Sequence, residues 1–326
     1  MTLNRKNRYS KIMRGTFLRM KKIFVSLFLI FISMICIRLF FFEIYYVTSN
    51  SMEDTLQAGD VIVVDKYSYG ARIPNSIIEI PWLNLLSYIF LKQSTIDNLE
   101  SIMPNNKRLY SFSRVKRNDI IIFNEPGNYK RYMVKRCVAL PKDTFEIRNE
   151  DIFLNGQKQL DFNLVKKTYA VDYRNKDIPF SKVAINLGVN YNEDWLQRKS
   201  RTKYIALTHN QMESLSLVIN PELIKKDSVK DFGPEIIIYK GFKTKDYCKY
   251  NKIFYRYEHD ENKVRSTTLL FNNDYFFFMG DNRSSSFDSR SYGVIPYNLI
   301  VGKVTFILFS RSRDGRWRKE RFFKKI

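Results

Sequence analysis

Thr48-Ser49-Asn50-Ser51-Met52-Glu53-Asp54-Thr55-Leu56 follows closely on a long apolar segment and precedes Val61-Ile62-Val63-Val64, a β-branched run bounded by Gly59-Asp60 and Lys66. The run reads as a strand. A nucleophile at Ser51 would sit between a membrane anchor and the first part of a sheet. Upstream, Ile23 to Phe42 is apolar except for Ser26, Ser33 and Arg38, and about 20 such residues suffice for a helix to cross the hydrocarbon core. Residues 23–42 therefore read as one transmembrane helix. Residues 1–22 carry Arg5, Lys6, Arg8, Lys11, Arg14, Arg19, Lys21 and Lys22 and no acidic residue. That excess of cations places the basic N-terminus in the cytoplasm and everything after about Glu43 on the far side. Arg38 snorkels outward from the exit end, and Phe40, Phe41, Phe42, Tyr45 and Tyr46 form an aromatic collar. A cleavable secretory signal is the other reading, since Val47-Thr48-Ser49 loosely resembles a small-residue cleavage site. The apolar run is long for a signal core, however, and aromatics crowd its end.

The net charge of +22 over 326 residues invites a nucleic-acid reading. The cations are spread along the chain, with neither a zinc-knuckle spacing nor an RNP-like aromatic motif, so no nucleic-acid partner is expected. Attraction to the anionic headgroups of a lipid bilayer fits the anchor better. Residues 314–326 form a basic C-terminal tail; from Arg311 to Lys325 cations mix with Trp317, Phe322 and Phe323. This suits a membrane surface, and equally a frayed tail. Of the three cysteines, Cys36 falls in the membrane, leaving Cys137 and Cys248 on the far side, where a disulfide is chemically permitted.

Further runs read as strands: Ile120-Ile121-Ile122-Phe123, Tyr132 to Leu140, Tyr275 to Met279 and Lys303 to Phe309, with Ile147 to Leu154 a strand entering a hairpin turn at Asn155-Gly156. The chain is thus mainly β in residues 43–147 and 268–313. Between them, residues 148–267 are polar and rich in Lys and Asn and read as an inserted lobe. Within it, Thr208 followed by Gln211 is a capping-box pattern leading into Met212, Leu215 and Ile219, with Asn220-Pro221 as the stop. Ile77 to Leu91 is too short to span a bilayer. Packing onto the β core is favoured over lying in the interface, because its polar side carries few cations.

A nucleophilic serine needs a base, usually histidine. The only two histidines, His209 and His259, lie in polar surroundings inside the lobe, which disfavours a Ser-His-Asp triad. No C-x-x-C or H-E-x-x-H spacing supports a metal site. The remaining option is a lysine desolvated enough to be neutral. In Arg131-Tyr132-Met133-Val134-Lys135-Arg136-Cys137-Val138, alternation puts Lys135 on the face of Met133 and Cys137, with Arg136 on the other. An apolar face would lower its pKa, although by pattern alone an ordinary strand lysine snorkelling to water is the favoured reading of Lys135. The densest cluster is Gly280-Asp281-Asn282-Arg283-Ser284-Ser285-Ser286-Phe287-Asp288-Ser289-Arg290-Ser291-Tyr292-Gly293. Two Asp/Arg pairs and a run of serines suit a hydrogen-bonded loop that orients other groups, or a salt-bridged surface turn.

Taken together, four ordered segments resemble the bacterial type I signal peptidases (leader peptidases), membrane-bound serine proteases that use a Ser/Lys dyad. The family's first motif, roughly S-x-S-M-x-P-T-L-x-x-G-D, is matched by Ser49 to Asp60, and R-G-D-I-V-V-F by Arg117 to Phe123. V-K-R-V-I-G-L-P-G-D is matched by Val134 to Asp143, and G-D-N-R-x-x-S-x-D-S-R-x-x-G is complete from Gly280 to Gly293. The resemblance implies Ser51 as nucleophile, Lys135 as general base and the Ser49 hydroxyl with the Ser51 N–H as oxyanion hole. It also implies that Ser286 holds the lysine amine and that Asp281, Arg283, Asp288 and Arg290 support the site. The implied fold is a signal-peptidase-like β catalytic domain with an inserted variable lobe, preceded by one transmembrane helix. The implied activity is removal of signal peptides from exported preproteins outside the plasma membrane, with small side chains before the cut and no metal or organic cofactor. A non-catalytic membrane-anchored binding or assembly protein and a dedicated-substrate processing peptidase are the alternatives. Asp54 departs from the family's proline, and Asn118, Ala139 and Lys142 from its glycines. Asn118 is tolerable because asparagine visits the left-handed region readily.

Overall fold

The computed structural model describes residues 2–102, 104, 107–126, 128–148, 151–159, 165–172, 195–196, 202–217, 224–226, 238–239, 242–243, 254–259, 265–270 and 275–326. Helix α1 spans Thr2–Cys36 and passes through one π-helical turn, Ile37–Phe41, into strand β1, Phe42–Tyr46. Within it, Phe17–Phe41 is long and apolar enough to cross a membrane, with a mean hydropathy of 2.6. Then come β2 (Asp60–Asp65), α2 (Leu83–Phe90), α3 (Gln93–Ser101), β3 (Ile120–Glu125), β4 (Asn128–Ala139), β5 (Thr144–Arg148), β6 (Asp151–Leu154) and β7 (Gln157–Lys158). Next come β8 (Lys167–Asp172), β9 (Trp195–Leu196), β10 (Thr202–Leu207), α4 (His209–Ser216), β11 (Ile224–Lys226), β12 (Ile238–Tyr239), β13 (Phe242–Lys243), β14 (Phe254–His259) and β15 (Arg265–Leu270). Finally β16 (Tyr275–Met279), α5 (Ser289–Tyr292), β17 (Ile295–Pro296) and β18 (Ile300–Ser310) complete the chain.

The main sheet has seven strands in the order β1-β2-β18-β3-β4-β16-β17, and a second sheet runs β14-β15-β5-β6-β7. The protein is thus mostly β. The β-branched run after the serine stretch is β2, buried along its whole length. A single strand over Ile147 to Leu154 is not what forms. β5 and β6 are separate antiparallel strands pairing Phe145 with Leu154 and Ile147 with Ile152, so the chain reverses inside the run. Phe145 of β5 and Ile152 and Leu154 of β6 are all buried, and apolar residues on both strands hide a turn from hydrophobic patterning. The turn at Asn155-Gly156 does form, at φ 52° and 80°, the left-handed pair that a two-residue hairpin needs. The capping box also forms, with Thr208 accepting from Gln211 N. The helix ends at Ser216, ahead of Asn220-Pro221, which lie outside the described residues.

Three clusters make the core. One unites Val47, Met52, Leu56, Ile62, Ile122 and Val304 beneath the serine stretch. Another joins Ile121, Phe123, Cys137 and Phe278. In the third, Phe145 of the second sheet stacks on Phe277 at 4.2 Å. The C-terminal residues fold back rather than fray: Arg321 donates to both oxygens of Asp60 at 3.0 and 2.6 Å and to the carbonyl of Thr55 at 3.0 Å. The segment from Ile77 to Leu91 does not pack onto the β core; α2 exposes Leu85, Leu86, Ile89 and Phe90.

Candidate active site

Met52 and Leu56 are fully buried, and the chain between them closes tightly, with Leu56 N donating to Met52 O at 2.7 Å. Two apolar anchors four residues apart thus fix the turn carrying Ser51. On the other side, Asn282 N donates to the Ser51 carbonyl at 3.1 Å, and Gly280 makes this approach possible. A Cβ at position 280 would lie 2.4 Å from the Ser51 carbonyl oxygen and 2.2 Å from Ser286 Oγ.

β4 presents Lys135 to that turn. Its Nζ donates to Ser51 Oγ at 2.6 Å and to the Val134 carbonyl at 3.0 Å, and the side chain does not snorkel, since Lys135 is 3% exposed. Burial lowers the Lys135 pKa to about 8, against the opposing pull of Asp288 and Asp281 and with help from Arg290. Ser49 Oγ lies 3.3 Å from Ser51 Oγ. Ser286 is buried, and its hydroxyl helps hold the Asp288 carboxyl below its ordinary pKa, while the Lys135 amine is held by Ser51 and Val134.

The two Asp/Arg pairs read from the last motif are made differently. Asp288 does pair with Arg290, Nε to Oδ1 at 2.8 Å, and also accepts from Gly280 N at 3.0 Å. Burial works to raise its pKa, but Arg290 and the Gly280 N–H outweigh it and hold the carboxyl below its ordinary value. Asp281 instead takes Arg136 of β4, at 2.8 and 2.6 Å, and accepts from Thr55 Oγ1 at 2.5 Å. Arg283 turns back on the Gly280 carbonyl at 3.1 Å. Arg136 and Thr55 stand inside matched motifs, yet alternation alone left Arg136 facing away from the site.

Lys166, just ahead of β8, was also missed. It is buried, its Nζ lies 3.7 Å from Glu53 and 3.6 Å from Asp54, and its backbone brackets the loop through Lys166 N to Asp281 O at 2.9 Å and Arg283 N to Lys166 O at 3.0 Å. No spacing marks it. Asp54, where a proline was expected, takes φ 74°, which proline cannot adopt. Asn118 and Lys142, where glycines were expected, take 75° and 72°.

His209 is exposed on α4, 3.1 Å from Glu213, and His259 lies on β14. Cys137 is buried with a free thiol, and Cys248 lies outside the described residues. Among the described residues no group of three or more His, Cys, Asp or Glu side chains is placed to hold a metal ion. A cavity of about 450 Å³ opens onto Ser51 and Lys135 and is lined besides by Tyr46, Thr48, Ser49, Met133 and Phe287. It runs between the segment after β1 and β4. The latter pairs with β3 along Asn128–Arg136 but meets β16 only from Arg136 onward.

A family model described as signal peptidase, peptidase S26, matches residues 20–309. Among similar proteins, the signal peptidase I of Helicobacter pylori is 28% identical over 301 residues, covering 91% of this chain and 85% of that one. That of Buchnera aphidicola is 26% identical over 298 residues, 90% of this chain and 78% of its own. That of Aquifex aeolicus is 24% identical over 291 residues, 89% and 85%.

Proposed function

Because this chain belongs to the signal peptidase family, peptidase S26, and is a serine endopeptidase that removes signal peptides from preproteins, we propose that Ser51 is its nucleophile and Lys135 its general base. The observation that carries this assignment is the 2.6 Å hydrogen bond between two buried side chains, one of them a lysine with a pKa lowered to about 8. At neutral pH roughly a tenth of such an amine is unprotonated. The neutral amine takes the Ser51 proton as Oγ bonds to the scissile carbonyl carbon. The resulting oxyanion is met by the Ser51 N–H and the Ser49 hydroxyl. The lysine ammonium then gives its proton to the departing amine as the C–N bond breaks, leaving an acyl-enzyme. Lys135, neutral again, deprotonates the water that attacks this ester and returns the proton to Ser51.

The cavity beside the edge of β4 that β16 does not reach suits an extended substrate that adds as a strand, with small side chains turned toward Ser51. Phe17–Phe41 is the anchor in the plasma membrane, with the basic N-terminus in the cytoplasm and the dyad outside, close to where a signal peptide leaves the bilayer. Asp281, Asp288, Arg283 and Arg290 hold the loop against which Ser51 and Lys135 are set, and Arg136 acts with them as a positioning residue.

Purified full-length protein in detergent, incubated with a preprotein, tests the assignment. Cleavage disappears in both Ser51→Ala and Lys135→Ala; full activity in either variant overturns it.

A further inference from the structure

Helix α2 is inside out. Ser87 is its buried residue, at 4% exposure, while Ile89 is 71% and Phe90 78% exposed, with Leu85 and Leu86 beside them on the outer face. A helix on a water-facing surface turns its apolar stripe inward, and a reversed one marks contact with apolar surroundings. Nor is α2 loosely attached. Tyr88 Oη donates to Glu100 Oε1 at 2.7 Å, Lys130 of β4 pairs with Asp97 at 3.3 Å and with Glu100, and Ile96 of α3 is 1% exposed. Helix α3 thereby pins α2 to the domain with its apolar face outward.

The neighbours of α2 say what covers it. The ring of Trp82, the residue that opens α2, lies 5.8 Å from the ring of Phe31, inside the apolar span Phe17–Phe41. The guanidinium of Arg38, at the exit of that span, stands 5.5 Å from the Trp82 ring and 3.3 Å from Glu43. Trp82 adopts φ 62°, a left-handed conformation that bulky residues rarely take, in the turn that sets its ring against the span. A second row of rings leaves the same exit: Phe42 to Tyr67 at 5.8 Å, Tyr67 to Phe112 at 5.9 Å and Phe112 to Tyr110 at 5.5 Å. Tryptophan, tyrosine and arginine grouped where an apolar helix ends are the residues of a bilayer interface.

We propose that α2 is a second membrane contact, lying in the outer leaflet with Leu85, Leu86, Ile89 and Phe90 among the acyl chains and Trp82 packed against the anchor. The occupant of this face is lipid, and its apolar surface is continuous with the anchor. The inference rests on the reading of Phe17–Phe41 as a membrane span. Two attachments, the span and α2, fix the tilt of the domain and therefore the height of Ser51 above the bilayer, which one flexible tether would leave free.

Spin labels on the full-length chain in phosphatidylethanolamine and phosphatidylglycerol vesicles test this, with Cys36, Cys137 and Cys248 replaced by alanine and single labels at Ile89→Cys, Ser94→Cys and Ile30→Cys. A label at 89 collides with dissolved oxygen and is shielded from an aqueous nickel chelate; a label at 94 does the opposite; a label at 30 is deep. An aqueous 89 beside a deep 30 overturns the proposal and leaves the anchor standing. An aqueous 30 removes the anchor and the proposal with it. Shielding of 89 from both probes means a protein covers the face and also overturns it. As a second readout, Ile89→Glu with Phe90→Glu lowers cleavage of a vesicle-embedded preprotein about tenfold, while cleavage of a short soluble peptide in detergent stays within about twofold. Equal losses on both substrates contradict the proposal.

Discussion

Arg136 and Asp281 form a two-pronged ion pair, Nε to Oδ1 at 2.8 Å and Nη2 to Oδ2 at 2.6 Å, that ties β4 to the loop after β16. Lys135, one residue earlier on the strand, faces Ser51. Neighbouring cations thus do opposite work: one is buried without a counter-ion in direct contact, the other is neutralised by a carboxylate that is 1% exposed.

Removing the arginine leaves that carboxylate uncompensated, and breaking a buried pair from one side costs about 3–5 kcal/mol. Arg136→Met should therefore lower the denaturation midpoint strongly, measured by urea unfolding in detergent. A loss below about 1 kcal/mol would mean that the pair contributes little here.

Gly280→Ala should act on rate. The added methyl meets the Ser51 carbonyl oxygen at 2.4 Å and Ser286 Oγ at 2.2 Å, so Ser51 or the loop must shift. A displacement of about 1 Å costs on the order of a hundredfold in kcat. Peptide cleavage at saturating substrate reads it, and an unchanged kcat refutes the packing argument.

Lys142 is exposed at φ 72°, strain that a glycine would relieve. Lys142→Gly should raise stability by about 0.5–1 kcal/mol, the relief exceeding the extra freedom of the unfolded chain. Thermal unfolding checks the sign, and destabilisation would show that the lysine makes a contact worth more than the strain.

Lys135 has a folded-state pKa of about 8 against the ordinary 10.5. Between these values the unfolded chain binds more protons, so stability climbs as pH rises through that window and the burial cost is greatest below it. That cost is about 3 kcal/mol. Lys135→Met is thus expected to be inactive yet more heat-stable near neutral pH, with the advantage shrinking toward about pH 10. A variant less stable than its parent throughout would show that the amine is not penalised by its site.

Ser51, Lys135 and the last loop were legible because their residue types recur at fixed spacing and the two histidines offered a poor alternative. Asn118 was legible for a related reason, since its backbone freedom matches the φ of 75° it takes. Arg136 was not, because strand alternation assigns a face without saying what covers it, and from Lys135 to Ala139 both faces of β4 are covered. Lys166 reaches Glu53 and Asp54 from more than a hundred positions away, a contact no local pattern encodes. The β5–β6 reversal was hidden by apolar residues on both sides of the turn, and α2 was misread because its polar residues are the ones turned inward.

The most direct test of the account is the pH dependence of kcat/KM for preprotein cleavage by the detergent-solubilised enzyme, from about pH 6 to 10. A neutral Lys135 acting as base predicts that activity rises with pH and levels off above an ionisation near 8, the value to which burial lowers this lysine. A profile that is flat through that region, or that is governed by a group near 6.5 as a histidine base would require, would contradict it.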